Sequence, residues 1–258
     1  MKYALSEIAR ICGGKLTGAD LTVCSAATDS RSFTLGDRPL FVAIAGVNHD
    51  GHAYIAELYY RGVRAFMVER DVRMDSYPEA GFVRVESSVA ALQSLAADYR
   101  SRFRGIVVGI TGSNGKTVVK EWIAQLCPPG VKLFRSPKSY NSQIGVPLSV
   151  LMIEGDEQIA LIEAGISQPG EMARLERIVR PDVGVITTLG DAHQEHFRNL
   201  QHKLEEKLHL FRAARTILYS SHYPQVEEQL LYQVAEARRH PDGEIVPRLF
   251  DAAKTDVG

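Results

Sequence analysis

Short apolar runs and helical repeats alternate along the whole chain, and the pattern changes near residue 104. Residues 3–12 carry apolar side chains at helical spacing around Glu7 and Arg10. The spacing predicts a short helix beginning near Leu5 or Ser6 and stopped by Gly13-Gly14. Strand-like runs follow at LTVCSAA (21–27) and PLFVAIAG (39–46). GHAYIAELYYRG (51–62) has a helical repeat with Gly62 as terminator. VRAFMVE (63–69) and GFVRVE (81–86) predict two more strands, and residues 87–103 a helix capped by Ser87 or Ser88.

Beyond the basic segment Arg100–Arg104 the alternation becomes regular. GIVVGIT (105–111), VKLFRS (131–136), QIALIEAG (158–165), DVGVITTL (182–189) and RTILYS (215–220) are apolar runs of strand length. Helical repeats separate them at 116–126, 170–179, 200–214 and 224–239. Repeated strand–helix units imply an α/β fold: a mostly parallel sheet with right-handed crossovers in residues 105–258, preceded by a smaller mixed α/β domain in residues 1–104. The last stretch, GEIVPRLFDAAKTDVG, reads as a strand and loop that stop before a domain is closed, so the second domain is expected to be incomplete.

Composition narrows the function classes. With 30 Lys and Arg against 31 Asp and Glu, the net charge is −1, and no broad basic field points to nucleic acid. No apolar run reaches membrane-spanning length, and the amphipathic start is not a secretory signal. The three cysteines, Cys12, Cys24 and Cys127, form no CxxC pair, which fits buried thiols in a reducing cytoplasm.

The chemistry concentrates in GITGSNGKTVVKEW (109–122). A common phosphate-binding loop has Gly, four residues, then Gly-Lys-Ser/Thr; here the first position is Ile110. A buried strand nevertheless leads into the loop and a helix leaves it, which aims backbone N–H groups and a helix dipole at an anion. Thr111, Gly112, Ser113, Asn114 and Gly115 would cradle phosphates, Lys116 would reach the β- and γ-phosphates, and Thr117 would offer a hydroxyl to Mg²⁺. Glu163 ends a strand, where open α/β sheets bind ligands.

TGSNGKT resembles the ATP-binding signature of the Mur ligases, the cytoplasmic amino-acid-adding enzymes of peptidoglycan synthesis, and their folylpolyglutamate synthase relatives. Other strings follow in the family's order. Asp29-Ser30-Arg31, Gly36-Asp37, Leu40-Phe41-Val42-Ala43, Gly46 and Asp50-Gly51-His52 resemble its UDP-sugar-binding domain, with Arg38-Pro39 as a small insertion. This implies substrate contacts at Ser30 and Arg31, although an Arg31 simply paired with Asp29 would need no ligand. SYNSQIGVPLSVL (139–151) resembles a cleft segment and implies a contact by Asn141, whose plain alternative is a turn Asn.

IEAGISQPGEM (162–172) and AHQEHF (192–197) resemble metal-site strings, implying two Mg²⁺ sites served by Thr117, Glu163, His193 and Lys207. In the family the Lys is carbamylated. Lys203, one turn earlier, competes for that assignment, and a solvated helix face explains both residues without any metal. The resemblance implies ATP as phosphoryl donor and catalytic roles for Lys116, His193 and Lys207. Within the family, NSQIGVPL and AGISQPGEM fit best the member that joins D-alanyl-D-alanine to a UDP-N-acetylmuramoyl-tripeptide through an acyl phosphate. The alternatives are the tripeptide-forming member, acting on the UDP-dipeptide, and a non-catalytic nucleotide or UDP-sugar module. Two departures stand out. Ser220-Ser221-His222 occupies the place of the family's adenine-contacting Asn and Asp, and the family's third, amine-binding domain has no counterpart here. The resemblance therefore implies weak or absent ligation by this chain alone.

Overall fold

The computed structural model describes residues 1–31, 35–47, 49–190, 197–239 and 248–251. Two compact units divide at Arg102/Phe103. The junction lies two residues before the join placed from sequence, because Phe103 is buried against Gly105 at the entry to the second sheet.

In the first unit, β1 (Tyr3–Ala4) pairs antiparallel with β3 (Thr22–Val23). A five-stranded sheet has the order β2 (Lys15–Gly18), β7 (Gly81–Arg84), β6 (Ala65–Val68), β5 (Pro39–Val42), β4 (Ser25–Ala27), with only β2 antiparallel. Every residue of β5 and β6 is buried, as expected for parallel strands covered on both faces. The aromatic core is built by register, which sets Phe41, Phe66 and Phe82 side by side: Phe66 stacks on Phe82 at 5.0 Å and meets Phe41 edge-on at 6.4 Å. Each such fully buried ring contributes about 1.5–3 kcal/mol. Helix α1 (Leu5–Cys12) ends where Gly13 takes φ +63°, the left-handed stop expected of the Gly13-Gly14 pair. Helix α2 is shorter than its apolar repeat, Ile55–Tyr60, because Gly51–Tyr54 winds as a 3₁₀ turn. Helix α3 (Ser88–Arg102) packs on α1 and buries Leu92, Leu95 and Ala96.

In the second unit, six parallel strands have the order β13 (Arg248–Asp251), β12 (Thr216–Tyr219), β11 (Val183–Ile186), β8 (Ile106–Thr111), β10 (Ile159–Glu163), β9 (Leu133–Arg135). The chain starts at the central β8, visits β9 and β10 on one side, then crosses to β11 on the other. That reversal opens a crevice at the carboxyl end of β8, the usual ligand position in such sheets. Register fixes what surrounds it: Glu163 lies beside Ile110, and Ile186 beside Thr111. Helices α4 (Lys116–Leu126), α6 (Glu171–Val179) and α8 (Pro224–Arg239) follow the predicted repeats, while α7 (Leu200–Leu208) is shorter than the repeat over 200–214 because His209–Phe211 winds as a 3₁₀ turn. Helix α5 (Gly145–Leu151), buried at every position, was not among them. No helix among the described residues is long and apolar enough to cross a membrane.

Candidate functional site: a lysine-rich cleft at the head of the central strand

Between β8 and α4 the chain turns through Gly112 at φ +147° and Gly115 at φ +78°. Only glycine fits the first position, since a Cβ there would lie 2.0 Å from Thr187 Oγ1. The segment after β11 supports the loop. Ser113 N–H donates to the Thr188 carbonyl at 2.7 Å, and Thr187 Oγ1 donates to the Asn114 carbonyl at 2.6 Å. Ser113 Oγ both donates to the Gly190 carbonyl and accepts from its N–H. This explains why β11 ends at Ile186, although the apolar run continues to Leu189. Residues 187–190 leave the sheet to bind the loop.

Lys116 folds back over the turn that precedes it, donating to the carbonyls of Gly112 at 2.9 Å and Ser113 at 3.2 Å. Lys207, buried on α7, donates to the same Gly112 carbonyl at 3.0 Å. Lys203, one turn earlier and also buried, donates to the Gly190 carbonyl at 2.9 Å. Burial pushes the Lys207 amine down to about 7, helped by the neighbouring Lys116 and Lys203 charges. Lys116 is lowered as well, mainly by burial, with Glu163 opposing the shift.

Glu163 is 1% exposed and holds the other side of the loop. Its Oε2 accepts from Thr117 Oγ1 at 2.8 Å and its Oε1 from Asn141 Nδ2 at 2.6 Å. Asn141 is held in turn by its carbonyl, which accepts from Gly165 N–H at 2.8 Å. A cleft of about 340 Å³ opens over this network, lined by Gly112, Ser113, Lys116, Asn141, Ser142, Gln143, Ile144, Gly165, Ile166, Ser167, Glu171 and Lys207. Glu163 lies behind that lining, screened by Thr117 and Asn141.

The structure therefore brings together Gly112, Ser113, Lys116, Thr117, Asn141, Glu163 and Lys207, which span 96 positions of the chain. Thr111 is fully buried beneath the loop, and its hydroxyl has no hydrogen-bond partner. Asn114 and Gly115 shape the turn. His193 lies outside the described residues. Ser30 and Arg31 belong to the first unit. There Arg31 is exposed and forks onto Asp29 at 2.9–3.0 Å, and the Ser30 carbonyl accepts from Arg61 at 2.8 Å. Sequence reasoning missed the supports of the site: Ser136, Thr187, Thr188, Gly190 and the fully buried Lys120. None carries a motif. The two threonines are marked only by interrupting the end of an apolar run.

Residues 110–228 match the Mur ligase middle domain. This chain belongs to the Mur ligase family. Among its Mur ligase relatives is the UDP-N-acetylmuramoyl-tripeptide--D-alanyl-D-alanine ligase of Bacillus subtilis (strain 168), 31% identical over 213 residues, covering 81% of this chain and 46% of that protein. The enzyme of the same name from Synechocystis sp. is 36% identical over 67% of this chain and 38% of its own length. That from Escherichia coli (strain K12) is 33% identical over 82% of this chain and 45% of its own length. The chain thus spans about half the length of the curated relatives it matches, or less. The MurF ligase of Thermotoga maritima, solved in complex with ADP, superposes with a TM-score of 0.71 at 32% identity, covering 81% of this chain and 48% of that one. A MurF crystal structure from Acinetobacter baumannii gives 0.76 at 23% identity over 88% of this chain and 52% of that one, a likeness of fold.

Proposed function

We propose that this chain supplies the UDP-substrate and ATP-binding parts of a ligase that joins D-alanyl-D-alanine to UDP-N-acetylmuramoyl-tripeptide in peptidoglycan precursor synthesis. The observation that carries this reading is the convergence of Lys116, Thr117, Asn141, Glu163 and Lys207 around one glycine turn at the head of a central parallel strand. The similarity to D-alanyl-D-alanine-adding enzymes over most of the chain selects the member.

In this reading the nucleotide phosphates take the place that Lys116 now fills with loop carbonyls. The Lys116 ammonium, spread over two neutral loop carbonyls, keeps a strong demand for anionic oxygen, which a polyphosphate meets. The tripeptide carboxylate attacks the γ-phosphorus, the bond to ADP breaks, and an acyl phosphate forms. The amine of D-alanyl-D-alanine then attacks the acyl carbon, inorganic phosphate leaves with the C–O bond pair, and the amine proton is lost. Lys116 and the backbone N–H groups at the start of α4 offset charge moving toward ADP. Asn141 orients the acidic side of the cleft.

Thr117 and Glu163 offer only hydroxyl and carboxylate oxygen, a hard donor set that suits Mg²⁺. They would hold one ion in place of the hydrogen bond that now joins them, and its charge would neutralise phosphate oxygens. His193 and Lys207 are proposed for a second ion. Lys207 with its amine near 7 is substantially neutral at physiological pH, so its nitrogen lone pair can add to CO₂, with loss of one proton, to give a carbamate. That replaces a cation crowded by Lys116 and Lys203 with an anion. Lys207 lines the cleft and Lys203 does not, which favours Lys207 as the modified residue. Such substrates, and three free cysteines, fit a reducing cytoplasm.

Calorimetric titration of Mg·ADP tests the nucleotide site. Wild type is expected to bind, and Lys116→Ala to bind about thirtyfold more weakly, a loss of about 2 kcal/mol. Equal binding by both proteins would refute the assignment. Titration with the UDP-tripeptide and UDP-dipeptide separates the preferred reading from the tripeptide-forming alternative, which requires the dipeptide to bind better.

A further inference from the structure

Helix α4 buries one residue fully, and it is a lysine. Lys120 is 0% exposed, while Val118, Trp122 and Leu126 on the same helix are 50%, 60% and 82% exposed. A buried ammonium is costly unless it is paired and hydrogen-bonded. Lys120 Nζ donates to the carbonyls of Ser136 at 2.7 Å and Lys138 at 2.6 Å, and lies 3.7 Å from Glu163 Oε2. The other carboxylate near it, Glu121 at 3.6 Å, is already held by Arg135 at 2.5 Å. Lys120 is thus shared between Glu121, which Arg135 also pairs, and Glu163, the one of the two carboxylates that is buried.

Those two carbonyls belong to the turn that seats both Glu163 and Asn141. Ser136 Oγ accepts from Glu163 N–H at 3.3 Å, and Ser136 N–H donates to the Leu161 carbonyl at 2.9 Å. Lys138 stands at φ +47°, a conformation a non-glycine residue keeps only when its surroundings hold it, and Asn141 follows three residues later. Glu163 is therefore held from several sides by the protein: Thr117 and Asn141 donate to its oxygens, and Lys120 lies opposite its charge. Lys116 adds a second positive charge from the loop side.

We propose that Lys120 is a positioning residue that also sets the order of binding: it holds Glu163 in a closed, charge-balanced state that does not take up a free divalent cation, so that the cation enters with the nucleotide polyphosphate. The negative phosphates supply the charge that Lys120 and Lys116 otherwise oppose. This inference rests on the reading of Thr117 and Glu163 as cation ligands.

Calorimetry on the whole chain tests it with three titrants: MgCl₂ alone, ADP in EDTA, and Mg·ADP. Wild type is expected to show no saturable binding of Mg²⁺ alone, and measurable binding of ADP in EDTA that Mg²⁺ tightens. Lys120→Gln retains donors for the two carbonyls but removes the charge, and should gain affinity for free Mg²⁺ by about tenfold or more. Lys120→Arg, which keeps the charge, should resemble wild type. Free Mg²⁺ binding wild type as well as it binds the ADP complex overturns the proposal, and that arm needs no variant to fold. Free Mg²⁺ binding Lys120→Gln no better than wild type also overturns it, provided circular dichroism shows the variant folded. Glu163→Gln separates the two layers. If Mg²⁺ tightens ADP binding in wild type but not in Glu163→Gln, the ligand reading stands, and a failure belongs to Lys120 alone. If Mg²⁺ has no effect on ADP binding in wild type, the ligand reading itself fails.

Discussion

The two units use their motif residues in opposite ways. In the second unit, charged and polar side chains far apart in sequence meet in a buried network: Glu163 with Thr117 and Asn141, Lys120 behind it, Lys207 against Gly112. In the first, the motif residues Arg31 and His52 each pair with the Asp two positions earlier, and His52 also reaches the Glu69 backbone. Arg31 forks onto Asp29 two positions away in full solvent. His52 Nδ1 lies 2.7 Å from Asp50 Oδ1, and His52 Nε2 accepts from Glu69 N–H at 3.0 Å. The difference matters because burying charge is costly even when it is paired and hydrogen-bonded, so a buried charged network needs a reason to be kept. The lysine-rich cleft therefore carries its own physical argument for function. The exposed Arg31–Asp29 pair carries none, and its proposed substrate contact rests on resemblance.

Substitutions can break that contrast, and the largest effect is expected at Gly112. Gly112→Ala would drive a methyl group into Thr187 at a backbone angle alanine avoids. The expected cost is about 3 kcal/mol, read by chemical denaturation, with loss of Mg·ADP binding. Near-wild-type stability would mean that the loop and the 187–190 segment are not locked together. His52→Ala comes next. It leaves the Glu69 N–H and the Asp50 carboxylate short of a partner and is expected to cost about 1–2 kcal/mol, with Mg·ADP affinity unchanged.

Lys207→Met sharpens the comparison through pH. The folded-state amine is lowered to about 7 from 10.5, so the folded chain binds fewer protons than the unfolded chain between those values. Wild-type stability is penalised fully below pH 7 and recovers as pH rises toward 10.5. In CO₂-free buffer, the stability of wild type relative to Lys207→Met should rise by about 1 kcal/mol per pH unit between pH 7.5 and 9. A flat difference would show that Lys207 is not held as a lowered, buried amine. The smallest effect belongs to Arg31→Ala. Its exposed pair should leave the melting temperature unchanged while UDP-substrate affinity falls, and unchanged affinity would remove Arg31 from the proposed site.

Much of the second unit was legible in its pattern. The strands β8, β10, β11 and β12 and the helices α4, α6, α7 and α8 each have an apolar run or repeat bounded by Gly, Pro or a polar cap. Helix α5 was hidden because it is apolar on every side, so no helical period shows, and it contains Gly145 and Pro147. The proline sits in the first turn, where its missing N–H costs nothing. Strand β2, largely exposed at a sheet edge, lacks an alternating apolar face. Within the site, the loop and Glu163 announce themselves by strand–loop–helix context. Lys120 does not: in KTVVKEW it looks like a solvated lysine, and only the packing of α4 against β8, β9 and β10 turns it inward while Trp122 faces out.

The central claim is that residues from three separate stretches meet one nucleotide's phosphates. NMR of ¹³Cε-labelled lysines, assigned by Lys-to-Arg variants, tests it when Mn²⁺·ADP replaces Mg²⁺·ADP. The account predicts strong paramagnetic broadening of Lys116, Lys120 and Lys207, and none of Lys132, which precedes β9 at the opposite end of the sheet. Broadening of Lys132 with sharp Lys116 and Lys207 signals, or no selective broadening of any lysine, would contradict it.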